Sequence, residues 1–255
     1  MMQVCLKDKV CVVTGSAKSI GYGVAQAYSE SGAKVVMIDI DPAVMDSAAR
    51  LGARGYVLDI TKRADVLKVF SEIATEIGPV YALANVAGAV DQAPFTEITE
   101  EAMDRMMRVN VSGTLFCCQG AVASMRTLGQ GRIINFSSKS GKTGSALMAH
   151  YSAAKGAVIA LTHALAFELA KDKINVNCLC PGITDATGVW SEVSKGYVKN
   201  MHKSREEIID IFTAKIPLKR LTSIEDVVAW VLFLTEQGDY CTGQAFNISG
   251  GREVH

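Results

Sequence analysis

Short runs of apolar residues alternate along this chain with longer amphipathic stretches. The runs are rich in β-branched residues and carry few polar positions, which is typical of strands buried on both faces of a parallel sheet. We predict seven such strands, at 10–14, 34–38, 54–58, 80–85, 131–136, 174–179 and 244–248. The intervening stretches have helical periodicity and predict helices at 20–31, 43–50, 62–77, 100–127, 152–171 and 224–236.

This regular alternation predicts the fold class. Parallel strands need crossover connections, and right-handed crossovers place helices on both faces of one sheet. We expect an α/β protein with a doubly wound, seven-stranded parallel sheet of the Rossmann type, in a single domain over residues 1–255. Only the long, polar segment 184–216 interrupts the alternation. We interpret it as a substrate lid, since loops at the carboxyl ends of parallel strands border the ligand crevice. The alternative is a solvated helical excursion without a role.

Composition and charge narrow the function classes. The chain is 49% apolar and has a formal net charge of zero, so nothing indicates a nucleic-acid partner or an anionic membrane. The N-terminus has no signal-peptide core, and no uninterrupted apolar run reaches 18 residues. The seven cysteines lack zinc-ligand spacing. We therefore expect a reduced, cytoplasmic protein without a metal.

The segment TGSAKSIG at 14–21 follows the first strand and opens a helix, which is the context that a dinucleotide-binding turn requires. Gly15 would permit the tight turn, and Gly21 would let the helix pack against the strand. A pyrophosphate could rest on the helix N-terminus, where free N–H groups and the dipole favour an anion. Because Ser19 stands where a glycine is usual, a plain Gly/Ser turn is the alternative.

Acidic residues end the next two strands. Asp39 would accept hydrogen bonds from the adenosine ribose and repel a 2′-phosphate, which predicts NAD rather than NADP. Asp59 repeats the pattern one strand later, beside the expected adenine. Helix-terminal roles are the alternatives: Asp39 precedes Asp41 at a helix start, and Thr61 could supply the cap in place of Asp59.

Tyr151 and Lys155 are four residues apart in YSAAK, so a helix would place them on one face. An ammonium near a phenol favours the phenolate, and we expect Lys155 to lower the pKa of Tyr151. Tyr151 could then take the hydroxyl proton of an alcohol while a hydride leaves the carbon. Ser138 would hydrogen-bond the substrate oxygen and fix its distance to Tyr151. A strand-end turn is the alternative role for this serine.

These motifs occur in the order TGSAKSIG, LDI, NVAG, VNVSG, INFSS, YSAAK, NCLCPG and TGQAFNISGG. In this order they resemble the short-chain dehydrogenase/reductase family over nearly the whole chain. The resemblance implies that Ser138, Tyr151 and Lys155 are catalytic. It also implies that Asn110 supports them by holding a water that relays protons to Lys155, although Asn110 could instead pack inside a helix.

The resemblance further implies a nicotinamide cofactor, and Asp39 makes it NAD. The expected cofactor residues are Gly15, Lys18, Ser19, Ile20, Gly21, Asp39, Asp59, Ile60, Asn85, Ala87, Gly88, Tyr151, Lys155, Pro181, Gly182, Ile183 and Thr184. Three departures from the family pattern stand out: Val86 replaces an asparagine, Ser19 replaces a glycine, and Ala186 precedes Thr187 where the family threonine is expected.

Within the family, the chain most resembles polyol dehydrogenases, including those that act on sorbitol 6-phosphate. Lys139, Ser140, Lys142 and Trp190 are the expected substrate residues. Five basic residues of the 184–216 segment could meet a phosphate or form a solvated face: Lys195, Lys199, His202, Lys203 and Arg205.

Alternative functions remain open at this point. They are an NAD-dependent dehydrogenase of a small neutral diol of the butanediol or acetoin type, a ketone or ketoacyl reductase, and a dinucleotide sensor without activity. Asp39 argues against the reductase, because reductive biosynthesis usually uses NADPH, and the intact Ser138, Tyr151 and Lys155 argue against the sensor. The helices at 100–127 and 152–171 carry apolar faces beyond what one sheet needs, which with the family resemblance predicts a homodimer or homotetramer.

Overall fold

The computed structural model describes residues 5–185, 194, 198 and 203–254. Its seven strands form one parallel sheet in the order β3-β2-β1-β4-β5-β6-β7. The strands are β1 Val10–Thr14, β2 Lys34–Asp39, β3 Arg54–Val57, β4 Val80–Asn85, β5 Gly131–Phe136, β6 Ile174–Pro181 and β7 Ala245–Ile248. The order reverses between β1 and β4, and such a switch point opens a ligand crevice at the carboxyl ends of the strands.

Helices cover both faces of the sheet. The α-helices are α1 Ser19–Glu30, α2 Val44–Arg50, α3 Arg63–Glu76, α4 Glu100–Met107, α5 Thr114–Leu128, α6 Lys139–Thr143, α7 Ala149–Leu169, α8 Arg205–Ala214 and α9 Ile224–Glu236. A π-helical turn, Arg108–Gly113, joins α4 to α5, and the 3₁₀ turns Phe95–Glu97 and Ala170–Asp172 lie before α4 and after α7. Two buried apolar clusters, one on each side of the sheet, form the core.

The predicted fold class is confirmed, and each predicted strand is found within two residues of its expected ends. One helix prediction was wrong in detail. The stretch 100–127 is two α-helices separated by the π turn Arg108–Gly113, not one continuous helix. Apolar periodicity over so long a stretch does not resolve a short interruption, because the π turn is a local insertion within an otherwise helical segment.

Helix α7 is long and apolar enough to cross a membrane by length and composition alone. Its buried residues include Tyr151, Lys155, Val158 and Thr162, which face the protein interior. Of these, Val158 packs with Cys178 and Cys180 of β6. The helix is therefore a packed element of this fold that carries two of the predicted catalytic side chains.

Candidate active site

The carboxyl ends of β1, β4, β5 and β6 meet at one edge of the sheet, because all four strands are parallel. Thr14 of β1 is in register with Asn85 of β4, and Asn85 is in register with Asn135 of β5. The Gly-rich turn, the NVAG segment and Ser138 all follow directly from these ends. The topology thus brings the predicted cofactor and catalytic segments to the same crevice.

Ser138 and Tyr151 are positioned by the packing of α6 on α7. Ser138 caps α6, where its hydroxyl accepts a hydrogen bond from the Ser140 amide at 3.2 Å. The two helices approach closely, since a Cβ on Gly141 would lie 2.7 Å from the carbonyl carbon of Lys155. Ser138 is near enough to hydrogen-bond the Tyr151 phenol. Both its predicted role and its role as a turn residue are compatible with this position.

Lys155 lies one turn after Tyr151 on the same buried face of α7. Its Nζ donates to the main-chain carbonyl of Phe136 at 2.8 Å and lies 5.8 Å from the centre of the Tyr151 ring. Burial lowers the pKa of Lys155 to about 8, partly opposed by the nearby Cys178 and Cys180. The ammonium is thus held beside the phenol, but it is bonded to a carbonyl rather than to the tyrosine.

The prediction that Lys155 lowers the pKa of Tyr151 is wrong. Burial raises the pKa of Tyr151 to about 12, and hydrogen bonding to Ser138 opposes this only in part. The desolvation of a phenolate outweighs an ammonium that lies nearly 6 Å from the ring and already donates to Phe136. Tyr151 is therefore protonated at neutral pH.

Asn110 lies in the π turn and is fully buried. Its Oδ1 accepts from the Ala89 amide at 3.2 Å, and its Nδ2 donates to the carbonyls of Ala89 and Met106, each at 3.0 Å. A Cβ on Gly88 would lie 2.7 Å from that Oδ1 and 3.2 Å from Nζ of Lys155. The Asn110 side chain therefore clamps the segment after β4 close to Lys155, a role that lies outside the predicted relay.

The Gly-rich turn fits a bound dinucleotide. Gly15 has φ +66°, and a Cβ there would lie 2.7 Å from the Cα of Ala87; a Cβ on Gly21 would lie 2.1 Å from the Gly15 carbonyl oxygen. Lys18 is the N-cap of α1, and among the described residues its side chain makes no capping hydrogen bond. The first turn of α1 also carries no acid. Its free N–H groups and dipole therefore suit an anion such as a pyrophosphate.

Asp39 is the last residue of β2, and its side chain contacts the Gly-rich turn. Its two carboxylate oxygens accept from the amides of Ala17, at 2.9 Å, and Asp41, at 3.0 Å. Lys18 lies 3.7 Å from Asp41 in an exposed ion pair. The Asp39 carboxylate is thus fixed by the backbone beside the turn, with lone pairs left for further donors.

Asp59 and Ile60 line the same side of the crevice. Asp59 accepts from the amide and the hydroxyl of Thr61, at 2.9 and 2.8 Å, and so forms a local turn. The alternative helix-capping role is not found, because Lys62 is the N-cap of α3 and no described side chain caps that helix. Ile60 is buried against Gly113, where a Cβ would lie 2.6 Å from the isoleucine Cδ1. Ile20 lies in the first turn of α1.

Asn85 is placed differently from the other predicted cofactor residues. Its Nδ2 donates to Oδ1 of Asn135 at 3.0 Å and to Sγ of Cys118 at 3.3 Å. The chain of bonds continues from Asn135 to Thr162 at 2.9 Å. The Asn85 side chain therefore joins β4 to β5 and α5 beneath the crevice, and only its backbone reaches the NVAG turn.

The segment after β6 is held against β7 and the start of α9. Gly182 donates to the Ile248 carbonyl at 2.9 Å, and Thr222 donates to the Ile183 carbonyl at 3.0 Å. Thr184 pairs with Thr222 in an isolated parallel bridge. The cofactor residues predicted here therefore lie at the same edge of the sheet as Gly15 and Gly88. They are Pro181, Gly182, Ile183 and Thr184.

The predicted substrate residues divide into three groups. Lys139 donates to the Ser145 hydroxyl at 2.7 Å, and Ser140 shares a 2.8 Å hydrogen bond with the same hydroxyl. Burial lowers the pKa of Lys139. Lys142 is partly exposed at the end of α6. Trp190 lies outside the described residues, as do Lys195, Lys199 and His202.

An apolar cluster surrounds the catalytic tyrosine. Buried Met106, Met148, Ala154, Ile208 and Phe212 pack with Tyr151. Ile208 and Phe212 belong to α8, so the described end of the predicted lid lies over the tyrosine. The surroundings of the reacting group are therefore mainly hydrophobic.

Several residues of the site were not singled out from the sequence. Thr14 accepts from the Ala87 amide at 3.2 Å and ties the first strand to the NVAG turn. Ser137 donates to the Lys155 carbonyl at 2.7 Å. Ser145 binds Lys139 and Ser140. Thr14 and Ser137 lie within the TGSAKSIG and INFSS motifs, whereas position close to a motif was the only indication for Ser145 and for His150, which directly precedes Tyr151.

Taken together, these groups can hold an alcohol or carbonyl oxygen and exchange a proton with it. Ser138 offers a hydrogen bond, Tyr151 a titratable phenol, and Lys155 a cation at its flank. Such a triad suits proton transfer at a carbon that gains or loses a hydride.

Comparison with known proteins also indicates a dehydrogenase site. A family model described as short chain dehydrogenase matches residues 9–197. Sorbitol dehydrogenase of Cereibacter sphaeroides is 37% identical over 251 residues, which cover 96% of this chain and 98% of the relative.

Solved structures share the fold over nearly the full length. Sorbitol-6-phosphate 2-dehydrogenase SrlD from Erwinia amylovora has a TM-score of 0.93 at 29% identity, covering 96% of this chain and 100% of that chain. NAD⁺-bound xylitol dehydrogenase has a TM-score of 0.91 at 28% identity, with coverage of 96% and 99%. An actinorhodin polyketide ketoreductase with NADPH has a TM-score of 0.92 at 28% identity, with coverage of 97% and 98%.

Proposed function

The chain belongs to the short-chain dehydrogenase family, and from that premise we propose that it is an NAD-dependent dehydrogenase of a sugar alcohol or sugar-alcohol phosphate. The observation that carries the proposal is the juxtaposition of Ser138, Tyr151 and Lys155 at the mouth of a dinucleotide crevice. Bound there, the nicotinamide would supply the hydride acceptor or donor.

The chain's own residues would handle the substrate oxygen and its proton. Ser138 would hold that oxygen beside Tyr151, whose phenol exchanges the proton. Because burial keeps Tyr151 protonated at neutral pH, its proton is available for transfer to a ketone oxygen. Alcohol oxidation needs the phenolate, so its rate should rise with pH.

Asp39 supports NAD over NADP. Its carboxylate is fixed beside the Gly-rich turn by the amides of Ala17 and Asp41, where a ribose 2′-phosphate would meet a second negative charge. The relatives differ here, since the xylitol dehydrogenase structure contains NAD⁺ and the ketoreductase structure NADPH. The local charge at Asp39 is therefore the deciding argument for this chain.

A sugar alcohol is supported by relatives whose names specify sorbitol, sorbitol 6-phosphate and xylitol. The described basic residues restrict where a phosphate could bind. Lys139 is bonded to Ser145, and Lys203 pairs with Glu207 at 3.7 Å. Lys142 and Arg205 are therefore the stronger phosphate candidates among the described residues.

A small neutral diol is the second candidate. The apolar cluster of Met106, Met148, Ile208 and Phe212 around Tyr151 favours it, because a hydrocarbon wall suits the methyl groups of a butanediol. The same wall would suit a simple ketone in the reverse direction.

We also propose a homodimer or homotetramer in the cytoplasm. Phe167 of α7 is 89% exposed, and a second copy of the chain would cover it. All seven cysteines are free, which fits a reducing compartment.

The test is a substrate panel with both cofactors. We expect reduced nicotinamide to form with sugar alcohols or their phosphates and NAD, and much more slowly with NADP. Activity confined to butanediol would favour the second candidate, and activity with NADP alone would overturn the cofactor assignment.

A further inference from the structure

A group of buried polar atoms beside Tyr151 has no function in the site described so far. Both amide atoms of Gln92 and both ring nitrogens of His150 are buried and lack a hydrogen-bond partner in the described part of the chain. His150 is 2% exposed. Buried polar groups in native proteins are nearly always hydrogen-bonded, and the exceptions commonly mark a place for a ligand or water.

These two residues lie beside the first turn of α7, and we call this side of the active site the wall. The segment 89–93 starts at Ala89, which Asn110 clamps, and ends at Ala93, whose amide donates to the Leu147 carbonyl at 2.9 Å. It therefore runs past the first turn of α7, which carries both His150 and Tyr151. Ala89 and Val90 pack against the cluster that contains Tyr151.

The wall also borders open space. Residues 91–94 are partly exposed, and the Asp91 side chain is 38% accessible. Its Oδ2 lies 3.5 Å from Nε2 of His150, in ion-pair range but too long for a good hydrogen bond. Asp91 gives a ligand access to this wall from the solvent side, whereas the His150 ring is covered and would be reached only after a shift of the segment 89–93.

We propose that Gln92 and His150 are specificity-determining residues that bind hydroxyl groups of the substrate next to the carbon that is oxidised. The inference rests on the proposed function and narrows its substrate class. A carboxamide offers two donors and an acceptor, and a neutral imidazole offers one of each. Neighbouring hydroxyls of a sugar alcohol both donate and accept, so they match this set.

The remaining wall residues make the assignment sharper. Apart from Ser138 and Lys155, the described surroundings of Tyr151 are the apolar cluster with Met148, Ile208 and Phe212, whose side chains cannot bind hydroxyls. The Asp91 carboxylate beside His150 would repel a phosphate. The wall therefore recognises the uncharged hydroxyl chain, and a phosphate would have to bind on another side of the pocket.

The experiment compares two six-carbon secondary alcohols with NAD, namely sorbitol and 2-hexanol. Gln92→Met keeps the length of the side chain and removes its hydrogen bonds, and His150→Leu does the same for the imidazole. Each variant is expected to lower kcat/KM for sorbitol at least tenfold, mainly through KM, and to leave kcat/KM for 2-hexanol within twofold. Thermal stability should stay equal or rise, because an unpaired polar group has been removed from the interior.

Gln130→Met is the matched control, since this exposed glutamine lies at the opposite end of β5. An equal loss for both alcohols in Gln92→Met, or no loss for sorbitol, would overturn the inference. A wild-type enzyme that oxidises 2-hexanol but no sugar alcohol would instead overturn the proposed function, and this is seen before any variant is made.

Discussion

The cofactor side and the substrate side of the crevice are built by different means. On the cofactor side, main-chain amides and glycines form the contacts: Gly15 approaches Ala87, Gly21 approaches Gly15, and the Ala17 amide fixes Asp39. On the substrate side, side chains dominate: Tyr151 belongs to an apolar cluster, Ser138 can hydrogen-bond its phenol, and we propose that the buried Gln92 and His150 bind the substrate. The first side is specified by backbone geometry and the second by side-chain chemistry.

This difference explains how related dehydrogenases can share the cofactor side of the crevice and differ on the substrate side. Backbone contacts to a phosphate require only small residues at a few positions. Hydroxyl recognition depends on individual polar side chains whose loss leaves the fold intact. Relatives with sorbitol, xylitol and polyketide names can therefore keep the same sheet and differ at the substrate wall.

The largest effect is expected on the substrate side, at Tyr151. Tyr151→Phe keeps the ring and removes the group that exchanges the proton, so turnover should fall at least about a hundredfold. Steady-state kinetics with the best alcohol and NAD measures this. Tyr240→Phe, at a fully exposed tyrosine, should leave turnover unchanged. Near-normal turnover in Tyr151→Phe would break the assignment of the substrate side.

Lys155 lies between the two sides, and its removal should abolish activity while stabilising the fold. Burial lowers its pKa from 10.5 to about 8, a difference that corresponds to about 3 kcal/mol. Below pH 8 the folded protein carries this disfavoured charge in full. Between pH 8 and 10.5 the unfolded chain still binds a proton that the folded chain has released, so this destabilisation fades as pH rises.

Lys155→Met should therefore raise the free energy of unfolding at pH 7 by about 2 kcal/mol, after about 1 kcal/mol is subtracted for the lost hydrogen bond to Phe136. The gain should shrink toward pH 10.5. Denaturant unfolding at several pH values measures it, with Lys171→Met on an exposed position as the control. A gain that does not change with pH would contradict the burial argument.

The two sides also differ in how far the sequence could predict them. Seven strands and the residues at their carboxyl ends followed from apolar runs, since strands buried on both faces leave a strong signal. The position of Asn110 in a π turn and the sideways bond from Asn85 to Asn135 depend on tertiary packing. Gln92 and His150 are isolated polar residues in the sequence, and only burial without partners distinguishes them.

The cofactor side can be sharpened at Asp39. Asp39→Asn keeps one acceptor oxygen for the Ala17 amide and removes the charge, so the preference for NAD over NADP should narrow about tenfold by loss of repulsion. The ratio of kcat/KM for the two cofactors measures it. Asp59→Asn, at the end of the next strand, should change that ratio far less. If the wild type already uses both cofactors equally, Asp39 does not face the ribose.

The smallest effect concerns Ser19, where the usual glycine of the turn is missing. Ser19 has φ +60°, a left-handed conformation that costs a non-glycine residue about 1–2 kcal/mol. Ser19→Gly removes this strain but gives the unfolded chain more freedom, at about 0.5–1 kcal/mol. The net gain should be about 0.5–1 kcal/mol, or roughly 1–4 °C in melting temperature for a chain of this size. Ser31→Gly at the other end of α1, where φ is −84°, should destabilise the protein instead.

Because the Ser19→Gly change is confined to the backbone of the cofactor side, kcat/KM for the alcohol at saturating NAD should stay within twofold. A large change there would show that the two sides are coupled through α1, and the contrast between them would then be weaker than the contacts indicate.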